Sequence, residues 1–237
     1  MHDQTPALAA LFRAIARGEA ATVTRTLRAS PDAARAAITI GASREDAPRW
    51  FVPEAGRYIL ARDTALHFAA ASYQSAIARR LLAVGADVGA KNRRGAEPLH
   101  AASTGVPGGQ RWNPKRQAAT IELLIDAGAD PNCFDAAEVT PLHCAVRTRC
   151  ATAVHVLLRR GSNARLRNGA GSTPLHLAVQ TTGRGGSGSP AARAQQVTII
   201  RLLIEHGART SDRDGRGKSV IQQARGAALP FIEHLAT

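Results

Sequence analysis

The sequence predicts an all-α solenoid, in which helix-turn-helix repeats stack on one another, β-turn or hairpin fingers join them, and degenerate repeats cap both ends. Three observations predict this fold class. A hexapeptide centred on Leu-His recurs along the chain, an apolar stretch ending in Gly-Ala or Gly-Ser follows each clear copy, and only 4% of the residues are aromatic. A repeated period indicates stacked units, and a core with few large rings favours closely packed small helices.

The hexapeptide occurs in four clear copies and one degraded copy. The clear copies begin at Thr64, Glu97, Thr140 and Thr173, and the degraded copy begins at Ser219. Successive copies start 33, 43, 33 and 46 residues apart. The basic unit is therefore 33 residues long, and the two longer units carry insertions of 10 and 13 residues.

Each unit is expected to contain two helices. Thr140 suits an N-cap, because its hydroxyl can accept an orphan N–H group, and Pro141 suits the first helical position. A second helix presents Leu157 and Leu158 on one face, and Gly161 suits the left-handed residue that ends it. Residues 163–171 then form a turn-rich finger. One unit has too few apolar residues to offset its ordering entropy, so neighbouring units must stack.

The motif and its period resemble the ankyrin repeat, whose signature is Thr-Pro-Leu-His in a unit of 33 residues. The segments 140–143 and 173–176 match this signature in full. The resemblance extends over residues 64–224 and, loosely, over residues 7–34. It implies a non-catalytic protein-interaction module that needs no cofactor. The Arg- and Ala-rich composition is typical of a high-GC, bacterial-type member.

The repeat boundaries divide a single predicted domain, residues 1–237, into seven segments. They are cap-like helices at 7–34, an extended finger or linker at 35–63, repeat 1 at 64–96, repeat 2 at 97–139 with an insertion at 104–116, repeat 3 at 140–172, repeat 4 at 173–218 with an insertion at 181–193, and a C-terminal cap at 219–237. Both insertions are expected between the two helices of their repeats and on the same edge of the stack.

Four histidines, His67, His100, His143 and His176, occupy one position in successive repeats. Packed helices lie about 8–10 Å apart, which is too far for this column to share one zinc ion with bonds of about 2 Å. In the resembled family this histidine is structural and bonds near the helix start and to the adjoining finger. We therefore expect a structural role for the histidines and no metal site.

Charge and cysteine usage limit the possible functions. The chain has 31 basic and 18 acidic residues, a net charge of +13, and a basic surface can bind polyanions. Its three cysteines lack the spacing of a disulfide framework or a zinc site. No apolar run is long enough to span a membrane, and the N-terminus lacks the pattern of a signal peptide. We expect a cytoplasmic monomer.

The predicted partner surface consists of the finger tips and the exposed side of each first helix, which in a repeat stack form one concave face. The candidate residues are Ser72, Tyr73, Arg93, Arg94, Ser103, Trp112, Arg147, Arg149, Asn168 and Gln180. Trp112 lies in the first insertion beside basic residues, and two interpretations remain open. It either anchors a partner or covers the edge of its own loop.

Two function classes follow from these observations. The first is a scaffold that binds an unknown partner protein, with an acidic partner surface favoured by the basic fingers. The alternative is polyanion or nucleic-acid binding through the same basic rim, although the fingers lack the interleaved aromatic residues that stack on bases. No nucleophile is paired with a base, so we predict no enzyme activity.

Overall fold

The computed structural model describes residues 5–180 and 190–226. Its helices are α1 Thr5–Arg17, α2 Ala20–Ala29, α3 Ala65–Ala71, α4 Ser75–Ala83, α5 Pro98–Ala102, α6 Pro114–Asp126, α7 Pro141–Arg147, α8 Ala151–Arg159, α9 Pro174–Ala178, α10 Pro190–Glu205 and α11 Val220–Gly226. Short 3-10 turns occur at Pro31–Ala34 and Ala47–Trp50, and the strands β1 Phe51–Val52 and β2 Arg57–Tyr58 form a small antiparallel sheet. The fold is therefore the all-α repeat architecture that the sequence predicts.

The chain divides into two compact units. The first comprises Met1–Ala102 and Lys115–Asp130, and the second comprises Ser103–Pro114 and Pro131–Thr237. The sequence analysis assigns one domain to the whole chain, and that assignment and its repeat boundaries stay predictions. We describe each unit by itself.

In the first unit the helices α1, α3 and α5 pack side by side, and α2 packs against α4. We call the first helix of each repeat the inner helix and the second the outer helix. The centre of the packing is the stacked pair Phe12 and Phe68, whose ring centroids are 4.8 Å apart. Leu66, Leu81 and Leu124 are fully buried in the same unit. Burying each such side chain stabilises the fold by about 1.5–3 kcal/mol relative to leaving it exposed.

In the second unit the inner helices α7 and α9 pack against each other, and the outer helices α8 and α10 do likewise. The helix α11 packs against α9. Leu157, Leu175 and Leu203 are fully buried, and they occupy the apolar positions of the repeat. Helices α7 and α9 begin at Pro141 and Pro174, as the Thr-Pro pairs predict.

The two predicted insertions each overlap the start of an outer helix. The insertion predicted at 104–116 includes the first turn of α6, which begins at Pro114, because proline is favoured at the start of a helix. The second insertion loses residues 190–193 to α10 in the same way, and its residues 181–189 lie outside the described part of the chain. The predicted C-terminal cap contains α11, and residues 227–237 lie outside the description.

The segment 35–63, predicted as an extended finger or linker, contains the second 3-10 turn and the strands β1 and β2; we call it the first finger. Its two ends pair with each other, since the Ile38 N–H donates to the Asp63 carbonyl at 2.9 Å and the Arg62 N–H donates to the Ile38 carbonyl at 2.7 Å. Ala37 also forms an isolated antiparallel bridge with Thr64, the first residue of repeat 1. The strands β1 and β2 form the far end of this finger. None of the helices in the described ranges is both long and apolar enough to cross a membrane.

Candidate functional site

The four fingers that join one repeat to the next share one turn geometry. They begin at Asn92, Asp135, Asn168 and Asp214, and in each the side-chain Oδ1 accepts backbone N–H groups two and four residues later, at 2.8–3.2 Å. The N–H of the first residue also donates to the carbonyl four residues on, at 3.0 Å. Short side chains of this kind stabilise turns through such bonds. The tip of each finger is therefore held in one conformation.

Backbone hydrogen bonds also link neighbouring fingers within each unit. In the first unit the Arg93 N–H donates to the Ala61 carbonyl at 2.8 Å. In the second unit Gly169 donates to Ala137 at 3.0 Å, and Gly215 donates to Ala170 at 3.1 Å. The finger tips of one unit consequently form a fixed row, and their side chains project from a rigid backbone.

Three of the motif histidines, His67, His143 and His176, connect their inner helix to the finger after it. In repeats 1, 3 and 4, Nδ1 accepts the backbone N–H of the N-cap residue at 3.2–3.3 Å. The Nε2 atoms of His67 and His143 each bond to the carbonyl that closes the next finger, at 3.0 Å, and His176 does so at 3.3 Å. In repeat 2 the N–H of Glu97 donates to His100 Nδ1 at 3.1 Å. These contacts match the structural role that the resemblance implies.

Burial favours the neutral form of His67, His143 and His176. It lowers the pKa of both His67 and His143 to about 4, and it also lowers the pKa of His176. An Nδ1 atom that accepts an N–H group must be unprotonated, so the proton is on Nε2 and is donated to the finger carbonyl. In repeats 1, 3 and 4 the motif histidine therefore bonds through both ring nitrogens and couples an inner helix to a finger.

The candidate partner residues differ in exposure. Arg93, Arg94, Arg147 and Gln180 are exposed, whereas Ser72, Trp112 and Asn168 are half-buried. Asn168 is the first residue of its finger, so its side-chain oxygen already accepts two backbone N–H groups. The two exposed candidates of the first unit, Arg93 and Arg94, lie at the tip of the Asn92 finger. In the second unit, Arg147 ends α7 and Gln180 follows α9.

Three candidates, Tyr73, Ser103 and Arg149, are buried, which corrects their expected exposure. Tyr73 and Arg149 lie in the turn between the two helices of their repeats and have left-handed backbones, with φ of 54° and 60°. Arg149 Nη1 donates to the Ala178 carbonyl at 3.2 Å and Nη2 donates to the Gln180 carbonyl at 2.6 Å. Arg149 is thus occupied with the C-terminal end of α9, where cations are favoured by the helix dipole.

Many basic side chains of the second-unit fingers already have partners. Arg165 donates to both carboxylate oxygens of Asp212 at 2.8 and 3.1 Å. Arg167 donates to the Gly171 and Arg213 carbonyls, and Arg213 donates to the Gly217 carbonyl. In contrast, the described residues of the first unit form no ion pair with Arg93 or Arg94. The tip of the Asn92 finger therefore carries two adjacent arginines without an ion pair, and Arg216 holds the position equivalent to Arg94 in the Asp214 finger.

The described side chains offer little for covalent or metal chemistry. The three cysteines are buried, and burial raises the pKa of Cys144 to about 11, so this thiol stays protonated. Within residues 5–180 and 190–226, no group of three His, Cys, Asp or Glu side chains is arranged to hold a metal ion. What the surface does offer is a set of exposed groups on fixed turns.

One exposed feature of the first unit is absent from the predicted surface. Phe51 and Tyr58 stand opposite each other on β1 and β2, and both are exposed. The sequence signal was present, because the runs 50–52 and 57–59 combine strand-forming residues around a Pro- and Gly-containing turn. The sequence predicts an extended finger or linker there, but neither ring is assigned to the predicted partner surface.

Comparison with known proteins identifies the same repeats. A family model described as "Ankyrin repeats (many copies)" matches residues 124–178, and one described as "Ankyrin repeat" matches residues 62–93 and 170–215. Together these matches cover just over half of the chain. They include repeats with and without an insertion.

Two curated relatives match a shorter stretch. They are the proteins named Cyclin-dependent kinase 4 inhibitor B from Mus musculus and Rattus norvegicus, and each is 40% identical over 86 residues. The match covers 36% of this chain and 58% of the relative. The chain therefore spans little more than half the length of the relatives it matches.

Proposed function

Because this chain belongs to the ankyrin-repeat family, we propose that it is a non-catalytic scaffold that binds a partner protein through its finger tips and the adjoining inner-helix face. The observation that carries this proposal is the shared finger geometry. Each tip is fixed by its own Asx bonds and, within a unit, by bonds to the neighbouring finger. A preorganised surface binds with little loss of backbone entropy.

Arg93 and Arg94 are the strongest candidates for partner contact. Their backbone N–H groups hold the turn, with Arg93 bonded to Ala61 and Arg94 to Asn92, while their side chains are exposed. Two adjacent unpaired guanidinium groups favour a partner with an acidic surface. Ser72 of the first unit, and Arg147 and Gln180 of the second, lie near the C-terminal ends of inner helices, and we assign each to the inner-helix surface of its own unit.

The relatives support a protein partner without identifying it. Their name describes an inhibitor of cyclin-dependent kinase 4, and that activity belongs to proteins that this chain matches over 86 residues only. The alternative, polyanion binding, has less support from the structure. Arg165, Arg167 and Arg213 of the basic rim are bonded within the protein and would have to break these contacts.

The proposal is tested by charge reversal at the Asn92 finger. We expect the double variant Arg93→Glu and Arg94→Glu to retain less than about a tenth of the partner captured by the parent protein from its native lysate, since about 1.4 kcal/mol corresponds to a tenfold change. The matched control is Arg25→Glu with Arg28→Glu, which removes the same charge from the exposed side of α2. Both variants should melt within about 2 °C of the parent.

Equal capture by the parent and the finger-tip variant would contradict the proposal. Repeating the capture with nuclease and at several salt concentrations separates the two function classes. A polyanion contact loses affinity steeply as salt rises, whereas a mixed protein interface responds weakly. Capture that disappears with nuclease treatment would favour the polyanion alternative.

A further inference from the structure

The small sheet of the first finger has two different faces. Phe51 pairs with Tyr58, and Val52 pairs with Arg57. Because side chains alternate along a strand, one face carries Val52 and Arg57 and the other carries the two aromatic rings. Val52 is fully buried, so the first of these faces is the one that packs on the protein.

Arg57 fixes the hairpin to the first repeat. Its Nη2 atom lies 3.1 Å from both carboxylate oxygens of Asp63, and its guanidinium carbon lies 5.0 Å from the centroid of Phe68. Asp63 is fully buried and also accepts the Leu60 N–H at 2.8 Å and the Asn92 side-chain amide at 3.0 Å. The hairpin is therefore tied to the first residue of the Asn92 finger.

The opposite face exposes aromatic rings. Phe51 is 37% exposed and Tyr58 is 44% exposed, with ring centroids 5.0 Å apart at an angle of 56°. Only 4% of the chain is aromatic, so the protein places two of its few rings on one outward face. A rigid pair of exposed rings is typical of an interface, because such rings bury a large area at little entropic cost.

Unpaired positive charge lies close to these rings. Ala61 follows Tyr58 by three residues, so at most about 10 Å of extended chain separates the ring-bearing residue from the carbonyl that receives the Arg93 N–H. Arg62, Arg93 and Arg94 are exposed, and no described ion pair includes them.

The carboxylates of the same finger differ in their partners. Asp63 binds Arg57 and Glu54 accepts from Arg17 at 2.8 Å, whereas Asp46 accepts from the neutral Trp50 Nε1 at 2.8 Å and Glu45 is exposed without an ion pair among the described residues. The three unpaired arginines outnumber these two carboxylates, so the surface around the rings combines apolar area with a positive balance of charge.

We propose that Phe51 and Tyr58, together with Arg62, Arg93 and Arg94, form a docking surface for an acidic segment of the partner protein that carries an aromatic side chain beside its carboxylates. The rings contact the partner's aromatic side chain and the guanidinium groups bind its carboxylates. This inference rests on the proposed function, because it specifies which side chains the partner protein presents to the Asn92 finger.

Two synthetic polymers of matched length test the proposal with the full chain. One is poly-glutamate, and the other is a random copolymer of glutamate and tyrosine. The parent protein should bind the copolymer about tenfold more tightly than poly-glutamate, which corresponds to about 1.4 kcal/mol. Isothermal titration or fluorescence anisotropy measures both affinities.

The double variant Phe51→Thr with Tyr58→Thr should lose the preference for the copolymer and keep its affinity for poly-glutamate. Threonine is chosen because it favours strands, and circular dichroism and the melting temperature check that the fold is kept. The matched control is Phe134→Thr, which removes a ring of similar exposure, 39%, from the second unit. This control should bind both polymers as the parent does.

Several outcomes would overturn the docking surface. They are equal affinity of the parent for the two polymers, failure of the parent to bind the copolymer, and an unchanged preference in the ring variant. Sedimentation that shows a dimer of the parent and a monomer of the ring variant would assign the rings to self-association. Ring-dependent binding to phosphatidylserine vesicles would assign them to a lipid surface.

The variant Arg93→Glu with Arg94→Glu separates this inference from the proposed function. If it loses captured partner protein while the ring variant captures normally, the scaffold proposal stands and the aromatic docking surface is wrong. If neither variant affects capture of the partner, both proposals are wrong.

Discussion

Repeats without an insertion and repeats with one solve the same hydrogen-bonding problem in different ways. The problem concerns the carbonyl of the alanine two residues after the motif histidine, near the end of the inner helix. This position is Ala69 in repeat 1, Ala102 in repeat 2, Ala145 in repeat 3 and Ala178 in repeat 4. A helix end leaves such carbonyls without an intrahelical donor, and burying one unbonded is costly.

In repeats 1 and 3 a tight turn supplies the donor. Tyr73 and Arg149 have left-handed backbones, and the N–H group of the next residue then donates to the alanine carbonyl at 2.9 Å. The N-terminal helix pair uses the same turn, with Gly18 at a φ of 76° and a bond of 3.0 Å from the Glu19 N–H to the Ala14 carbonyl.

In repeats 2 and 4 the insertion replaces this tight turn, and a glutamine side chain supplies the donor. Gln117 Nε2 donates to the Ala102 carbonyl at 3.0 Å, and Gln196 Nε2 donates to the Ala178 carbonyl at 2.8 Å. The Ala178 carbonyl also accepts a longer bond, 3.2 Å, from Arg149 Nη1. Each glutamine lies eleven residues before the glycine that follows its outer helix. The same register position is Gln74 in repeat 1 and Cys150 in repeat 3. There the backbone N–H groups of these residues donate to the Ala69 and Ala145 carbonyls.

The comparison shows how a repeat accepts an insertion at the junction of its helices. A longer loop adds little closure entropy, so the main cost is the lost donor to a buried carbonyl. A long amide side chain at the same register position reaches back and restores that bond. The following predictions test this account, beginning with a feature that the two kinds of repeat share.

Acid should destabilise the protein through the shared histidine caps, which is the largest effect we expect. The folded pKa of His67 and His143 is about 4, below the ordinary value of about 6.5. The unfolded chain therefore binds protons first as the pH falls, and stability is lost between about pH 6.5 and pH 4. We expect each of the two histidines to lower the free energy of unfolding by about 2 kcal/mol between pH 7 and pH 5.

Urea titrations at the two pH values measure this loss. In the variant His143→Gln, the free energy of unfolding should differ between the two pH values by about 2 kcal/mol less than in the parent. The variant His155→Gln, at an exposed position of α8, should keep the full difference. The same pH difference in all three proteins would show that the buried caps do not control acid stability.

The glutamine donor gives the sharpest test of the comparison. We expect Gln117→Leu to lower the free energy of unfolding by about 1–3 kcal/mol, because the Ala102 carbonyl loses the bond from Nε2. Gln74→Leu is the matched control at the same register position, and it should change stability by less than about 0.5 kcal/mol. A backbone N–H makes the equivalent bond in repeat 1, and the side chain loses only an exposed bond from Arg116 Nη2 at 3.0 Å. Equal losses in the two variants, measured by urea unfolding, would contradict the exchange of donors.

The smallest expected effect concerns the tight turn itself. Gly18→Ala should destabilise the protein by about 1–2 kcal/mol, because a left-handed φ is unfavourable once a Cβ atom is present. The new Cβ would also approach Gln74 Nε2 to 2.8 Å, at the movable end of a half-buried side chain. Gly89→Ala is the control, since its Cβ would meet only Asp87 Oδ1 at 3.6 Å. Calorimetric melting of both variants shows whether the turn requires a left-handed residue.

Sequence reasoning reached the repeat architecture and the starts of α7 and α9, because the Thr-Pro pairs and the period are local signals. It also placed the motif histidines between helix start and finger, with the help of the resemblance. It did not find that Tyr73, Ser103 and Arg149 are buried. Polar or aromatic residues in a short connection are usually exposed, and only the packing of the next helix shows otherwise.

By itself the sequence determined the repeat and its period, because the motif recurs along the chain. It also determined the helix caps and the finger positions, because each of these depends on residues within a few positions of one another. Tertiary structure alone decided which connecting side chains face solvent, that the Phe51–Tyr58 pair points outward, and that Gln117 and Gln196 replace a missing backbone donor. These outcomes depend on contacts between segments distant in the chain, such as Arg57 with Phe68 and Arg149 with Ala178. A pattern of neighbouring residues does not predict such contacts.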